Sequence, residues 1–157
     1  MDFSSPFQIS TSLLSACLEA ELPAKMERVF RELVKCLEAK KKILVAGNGG
    51  SASQAQHFAA ELVVRYRLNR AALPVIALTA DSTILTAVSN DFGYEHVFSK
   101  QIEALGVPGD VFIGLSTSGT SLNILEAFRA AHARGLKTIG FLGSKNPADL
   151  PIDFLLS

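Results

Sequence analysis

Only two cysteines occur in the 157 residues, Cys17 and Cys36, spaced neither as CxxC nor as a disulfide framework. Each stands alone in an apolar helical pattern, which suits a buried thiol in a reducing cytosol and excludes a disulfide-built scaffold. Charge of neither sign is in excess, since 15 Lys and Arg balance 15 Asp and Glu. A chain without net charge projects no field that recruits nucleic acid or an anionic membrane, so any anion site has to be local. No apolar run approaches the roughly 18 residues of a membrane span, and the opening Met-Asp-Phe-Ser-Ser-Pro offers no basic leader. Internal repeats, low-complexity tracts and linkers are lacking too. What remains is an ordinary folded composition, 48% hydrophobic and 19% charged. It points to a single soluble, cytoplasmic domain over 1–157, without nucleic-acid or membrane partners.

Apolar spacing supplies the elements. Leu13, Leu14, Cys17, Leu18 and Leu22 predict a helix over 10–22. A second helix opens at Pro23 and carries Met26, Val29, Phe30, Leu33, Val34 and Leu37 on one stripe. These N-terminal helices (1–40) either form an oligomer surface or cover one face of a sheet. Strands are expected at 43–46, 74–78, 110–115, 137–142 and 152–156. Helices are expected over 52–68, 82–88, 94–105 and 122–134, the last closed by Gly135. Apolar strands alternating with helices predict a parallel sheet covered on both faces, with its ligand at the carboxyl ends of the strands.

Four constellations stand at such places. Gly47-Asn48-Gly49-Gly50-Ser51 links the first strand to a helix, an arrangement that offers free N–H groups to an anion. It also fits G-x-G-x-x-A, but Asp81 comes too late for a dinucleotide ribose, and no Lys follows the glycines to make a P-loop. A tight turn with no ligand is the plain alternative. Ser116-Thr117-Ser118-Gly119-Thr120-Ser121 gathers five hydroxyls around one glycine. Phosphate binding accounts for all of them, whereas helix capping by Thr120 or Ser121 needs one. His57 and Glu61 share a helix face with Gln54 and Arg65. Such a stripe is either a solvated face with a Glu61–Arg65 pair or a site for zinc or proton transfer. Asn90 and Asp91, in Asn90-Asp-Phe-Gly93, are loop residues that can contact sugar hydroxyls or serve as simple turn formers; kinase chemistry is excluded by the lack of its other motifs. His96 and His132 read as surface or helix-packing residues.

Taken together, Gly47-Asn-Gly-Gly-Ser51, His57-Phe-Ala-Ala-Glu61-Leu, Arg65-Tyr-Arg67, Asn90-Asp-Phe-Gly93 and the 116–121 loop closely resemble the bacterial phosphoheptose isomerases. These are sugar isomerase (SIS) domain enzymes, and the likeness covers nearly the whole chain. The resemblance implies a three-layer α/β/α fold with a five-stranded parallel flavodoxin-like sheet. It implies a homotetramer with active sites shared between subunits, serving heptose biosynthesis for lipopolysaccharide. The activity it implies is isomerisation of sedoheptulose 7-phosphate to D-glycero-D-manno-heptose 7-phosphate through an enediol. By the same resemblance Ser116, Thr117, Ser118 and Ser121 grip the phosphate, and Asn48, Gly49, Gly50, Ser51, Asn90 and Asp91 line the sugar. His57 and Glu61 become zinc ligands, with Glu61 as base, ligand or both.

The resembling enzymes continue into a C-terminal helix whose Gln and His complete the metal and acid/base set. Here the sequence ends at Ser157, and a longer gene product is expected. Two other readings share the fold: a non-catalytic tetrameric adaptor like the protein that associates with the replication initiator, and a sugar-phosphate-sensing module. Glu61 favours the enzyme, because the adaptor lacks an acid at that position and a sensor needs none.

Overall fold

The computed structural model describes residues 4–19 and 21–157. Two helices, α1 (Ser5–Glu19) and α2 (Leu22–Glu38), precede β1 (Ile43–Gly47) and α3 (Gly50–Val63). Then come β2 (Val75–Ala77), α4 (Ser82–Phe92), a 3-10 turn (Tyr94–His96) and α5 (Ser99–Leu105). The chain closes with β3 (Val111–Ser116), α6 (Leu122–Ala133), β4 (Lys137–Leu142) and β5 (Phe154–Leu156). All five strands are parallel in the order β2-β1-β3-β4-β5, the flavodoxin-like sheet expected.

The central strands are apolar at consecutive positions because helices cover both faces. Ile43 and Val45 of β1 join Val111, Ile113 and Ile139 under Val29 of α2 and Ala55 of α3. Leu44 and Ala46 point the other way, to Phe112, Leu142, Ile102, Ile124 and Phe128. Phe112 and Phe128 meet edge to face, with centroids 5.1 Å apart. Of the two N-terminal helices, only α2 covers the sheet. Residues Val29 and Cys36 of α2 are buried against the sheet, whereas α1 buries none of its residues. Cys17 is therefore half-exposed, not a buried thiol; only Cys36 is buried. Ala20, inside the expected 10–22 helix, lies outside the described residues.

Several expected boundaries move: the 10–22 helix is Ser5–Glu19, with Leu22 in α2, α3 opens at Gly50 and β5 at Phe154, and three further shifts follow from particular contacts. Helix α3 stops at Val63 instead of running to 68, because Leu73 N–H and the Arg70 guanidinium take the carbonyls of Leu62 and Glu61. Helix α4 runs past Val88 to Phe92, so Asn90 and Asp91 are helical and not in a loop. Their weak helix propensity, a few tenths of a kcal/mol, yields to the packing of Leu85 and Val88 on the core. The expected 94–105 helix is split, with a buried Gln101 amide donating to the carbonyls of Leu78 and Val97.

At the amino ends of β1 and β3 a buried carboxylate ties the two strands together. Asp110 is fully buried and accepts from Lys42 N–H at 3.0 Å, Val107 N–H at 2.9 Å and Lys42 Nζ at 2.5 Å. Burial pushes its pKa up, but the hydrogen bonds and charge of Lys42 and the Val107 N–H outweigh that and hold it below the ordinary aspartate value. A depressed folded pKa contributes stability above the unfolded value of about 3.9 and loses it as pH falls through the folded value. Asp110→Asn is thus expected to lower unfolding free energy by about 3 kcal/mol at neutral pH, measured by urea denaturation. The gap between variant and wild type should narrow below about pH 4; a gap constant across that range would show that the carboxylate charge is not its source.

Candidate active site

Strands β1 and β3 are neighbours, yet the helices that follow them lie on opposite faces, α3 over the Ile43 side and α6 over the Leu44 side. That is a topological switch point, where a crevice opens at the carboxyl ends of the strands. The register pairs Gly47 with Leu115, so Asn48 and Ser116 emerge side by side. Two helix N-termini thus flank one crevice.

The Ser116–Ser121 loop is built as a cradle. Ser116 is buried, and its Oγ lies 3.3 Å from Ser118 Oγ and 3.1 Å from Ser121 Oγ. It also accepts the Gly119 N–H at 3.2 Å. Thr120 donates its N–H and its hydroxyl to Ser118 Oγ. Ser121 occupies the N-cap position of α6 without making a side-chain cap, so helix capping does not explain the hydroxyls. The first N–H groups of α6 have no intrahelical acceptor. Hydroxyls and N–H groups converge here without a Lys or Arg in the loop, a neutral anion cradle. The loop is pinned from behind by Gly143, whose N–H donates to the Ser116 carbonyl at 3.0 Å.

Three openings surround this crevice. A cavity of about 500 Å³ is lined by Ser51, Gln54, Ser116 and Thr117 together with Cys17, Leu115 and Gly143. A second, about 340 Å³, is lined by Asn48, Ser121, Tyr94, Glu95, Leu122 and Asn123. Gly49, the N-cap of α3, and Gly50, its first residue, are exposed between them. His57 and Glu61 line a separate groove with Ser53, Gln54 and Phe58. Gln54 therefore faces both the serine cavity and the His57–Glu61 groove. Asn90 and Asp91 line none of these three; at the end of α4 they bond to each other, Asn90 Nδ2 to Asp91 Oδ1 at 2.8 Å.

Glu61 does not pair with Arg65, which contacts Asn69 instead. Its Oε1 lies 3.4 Å from His57 Nε2, the contact that i, i+4 spacing allows on one helix face. The Glu61 side chain is 31% exposed and that of His57 is 77% exposed. Among the described residues no third His, Cys, Asp or Glu joins them. Two donors fall short of the three protein ligands a catalytic zinc takes. The described residues do not make a zinc centre by themselves, and no chemical step is assigned to a metal.

The SIS domain model matches residues 7–143. The phosphoheptose isomerase of Trichlorobacter lovleyi is 47% identical over 140 residues, which are 86% of this chain and 71% of that protein. The chain belongs to the phosphoheptose isomerase family of SIS domain proteins. The Syntrophotalea carbinolica phosphoheptose isomerase is 60% identical over 78% of this chain and 68% of its own. A solved phosphoheptose isomerase structure from Neisseria gonorrhoeae superposes with a TM-score of 0.86 at 40% identity, covering 97% of this chain and 81% of that one. Like the first of these, the Geotalea daltonii relative is only partly spanned, here over 64% of its length.

Within this SIS domain the sequence did not single out Tyr94, Asn123 or Gly143. Asn123 had a readable signal: it is a polar residue between Leu122 and Ile124 at a position that α6 buries. Gly143 had none, since its role is a close approach between distant segments. Gly119 sits at φ +74°, and a Cβ there would stand 2.6 Å from the Gly143 carbonyl oxygen. Inorganic phosphate is expected to raise the melting temperature of the wild type, and Gly119→Ala is expected to destabilise by more than about 1 kcal/mol and to abolish that rise. An undiminished phosphate shift in that variant would place the anion elsewhere.

Proposed function

We propose that the protein isomerises sedoheptulose 7-phosphate to D-glycero-D-manno-heptose 7-phosphate. The observation that carries this reading is the neutral cradle of hydroxyls and N–H groups at the switch point, in a chain of the phosphoheptose isomerase family. Ser116, Thr117, Ser118 and Ser121, with the start of α6, hold the phosphate. Asn48 and Gly49 on the turn, with Gly50 and Ser51 in the first turn of α3, face the sugar. Isomerisation then moves one proton between neighbouring carbons. A carboxylate takes it from C1 of the ketose while O2 gains a proton, and the enediol so formed receives a proton at C2 as O1 gives one up, leaving the aldehyde. Glu61 is the carboxylate for this work, and hydrogen-bond donors at the crevice stabilise the developing oxyanion.

Such a base has to reach the reacting carbons. On its own chain Glu61 opens into a groove separate from the serine cavity, which supports an active site shared between subunits. The apolar residues Phe7, Leu13, Leu14 and Leu18 of α1 are 65% to 76% exposed and support assembly, read here as a homotetramer. A cytoplasmic location suits the two free thiols, and no helix among the described residues is long and apolar enough to cross a membrane. The product is a heptose phosphate suited to lipopolysaccharide precursors.

Protein mixed with sedoheptulose 7-phosphate should yield the aldose phosphate, followed by proton exchange at C1 and C2. Glu61→Gln should lower kcat by about 100-fold or more with little change in KM. Binding without turnover in the wild type would turn the reading to a sensor or adaptor. Turnover untouched by Glu61→Gln would remove the acid/base assignment and leave the isomerase standing.

A further inference from the structure

Asn48 leaves the end of β1 with its side chain already engaged. Its Oδ1 accepts from Asn123 Nδ2 at 2.8 Å and from the Tyr94 hydroxyl at 2.9 Å. Its Nδ2 donates to Asn123 Oδ1 at 2.9 Å. A carboxamide has two acceptor lone pairs and two donor hydrogens. Both lone pairs and one hydrogen are used, so a single N–H remains. The two amides form a closed reciprocal pair that bridges the crevice from β1 to the first turn of α6. Asn123 is 3% exposed, so its amide is held by packing as well as by its bonds. Tyr94 is 57% exposed and reaches the pair from the 3-10 turn. All three residues line the same cavity of about 340 Å³ beside Ser121.

We propose that Asn123 and Tyr94 are positioning residues that commit Asn48 to act as a hydrogen-bond donor toward an oxygen of the sugar. This rests on the sugar-phosphate reading above and deepens it. A freely rotating Asn offers a ligand either its oxygen or its nitrogen; this one has only the N–H to give. The partner it suits is an electron-rich oxygen, a carbonyl or an enediolate, rather than a hydroxyl that must donate. Phosphate recognition needs none of this, because the serine loop makes its contacts without Asn48. Tyr94 and Asn123 thus govern the sugar and leave the anion alone.

The test measures dissociation constants of sedoheptulose 7-phosphate and of inorganic phosphate by calorimetry, for wild type, Tyr94→Phe, Asn123→Ser and Asn48→Ala, and for each pair with Asn48→Ala. Tyr94→Phe removes one hydroxyl from an exposed ring and keeps the fold testable if Asn123→Ser does not fold. Tyr94→Phe is expected to weaken the sugar phosphate roughly fivefold and Asn123→Ser roughly tenfold, with inorganic phosphate unchanged in both. In the Asn48→Ala background each further substitution should change sugar affinity by less than about twofold. Parallel losses for inorganic phosphate would mean that the variants distort the loop, and would overturn the proposal. Full effects persisting without the Asn48 side chain would overturn it as well, by showing direct contact. A wild type that binds sugar phosphate with both variants unaltered would overturn the positioning role alone. A wild type that binds no sugar phosphate would overturn the functional reading with it.

Discussion

Parallel pairing of β1 with β3 is the constraint on which the site depends. Because Gly47 stands opposite Leu115, both strands end at the same level, and the turns after them leave toward opposite faces. Each turn starts a helix, so unsatisfied N–H groups arrive at the crevice from two directions. Slip that pairing by one residue and every inward side chain of the strand changes face. The closed amide pair of Asn48 and Asn123 then fastens the two helix starts across the gap.

The two ends of this strand pair carry different burdens. At the amino ends, Asp110 and Lys42 form a buried ionic latch whose contribution is to stability. At the carboxyl ends the Ser116–Ser121 loop itself carries no charged side chain, and its polarity comes from hydroxyls and main-chain N–H groups. A cradle of that kind suits an anion held without a fixed counter-charge. It keeps the site selective by geometry instead of by net field, which fits a chain whose charges cancel. Glu61, the carboxylate proposed for proton transfer, sits apart from this cradle, one helical turn beyond His57, on a partly exposed face of α3.

Periodicity was enough to read the sheet, its parallel sense and both glycine- and serine-rich turns, since buried parallel strands and helix starts leave local marks. It failed where long-range contacts set the outcome. Asn90 and Asp91 carry turn propensity but belong to α4, because the partly buried Leu85 and Val88 pack that helix on the core and Gly93 ends it at φ +96°. Val64 to Leu68 look helical but the carbonyls of Glu61 and Leu62 are claimed by Arg70 and Leu73, which return the chain to β2. Cys17 shares an apolar pattern with α1, yet that helix buries none of its residues.

By itself the sequence determined the α/β class, the family, and the two turns that hold the polar groups, because spacing and residue type act within a few residues. Only the tertiary structure decided which of those groups meet. It joined Asn48 to Asn123 across 75 positions, brought Tyr94 to the same amide, and left Asn90, Asp91 and the His57–Glu61 pair outside the serine cavity. Contacts between segments so far apart depend on strand register and helix packing, and no local pattern encodes either.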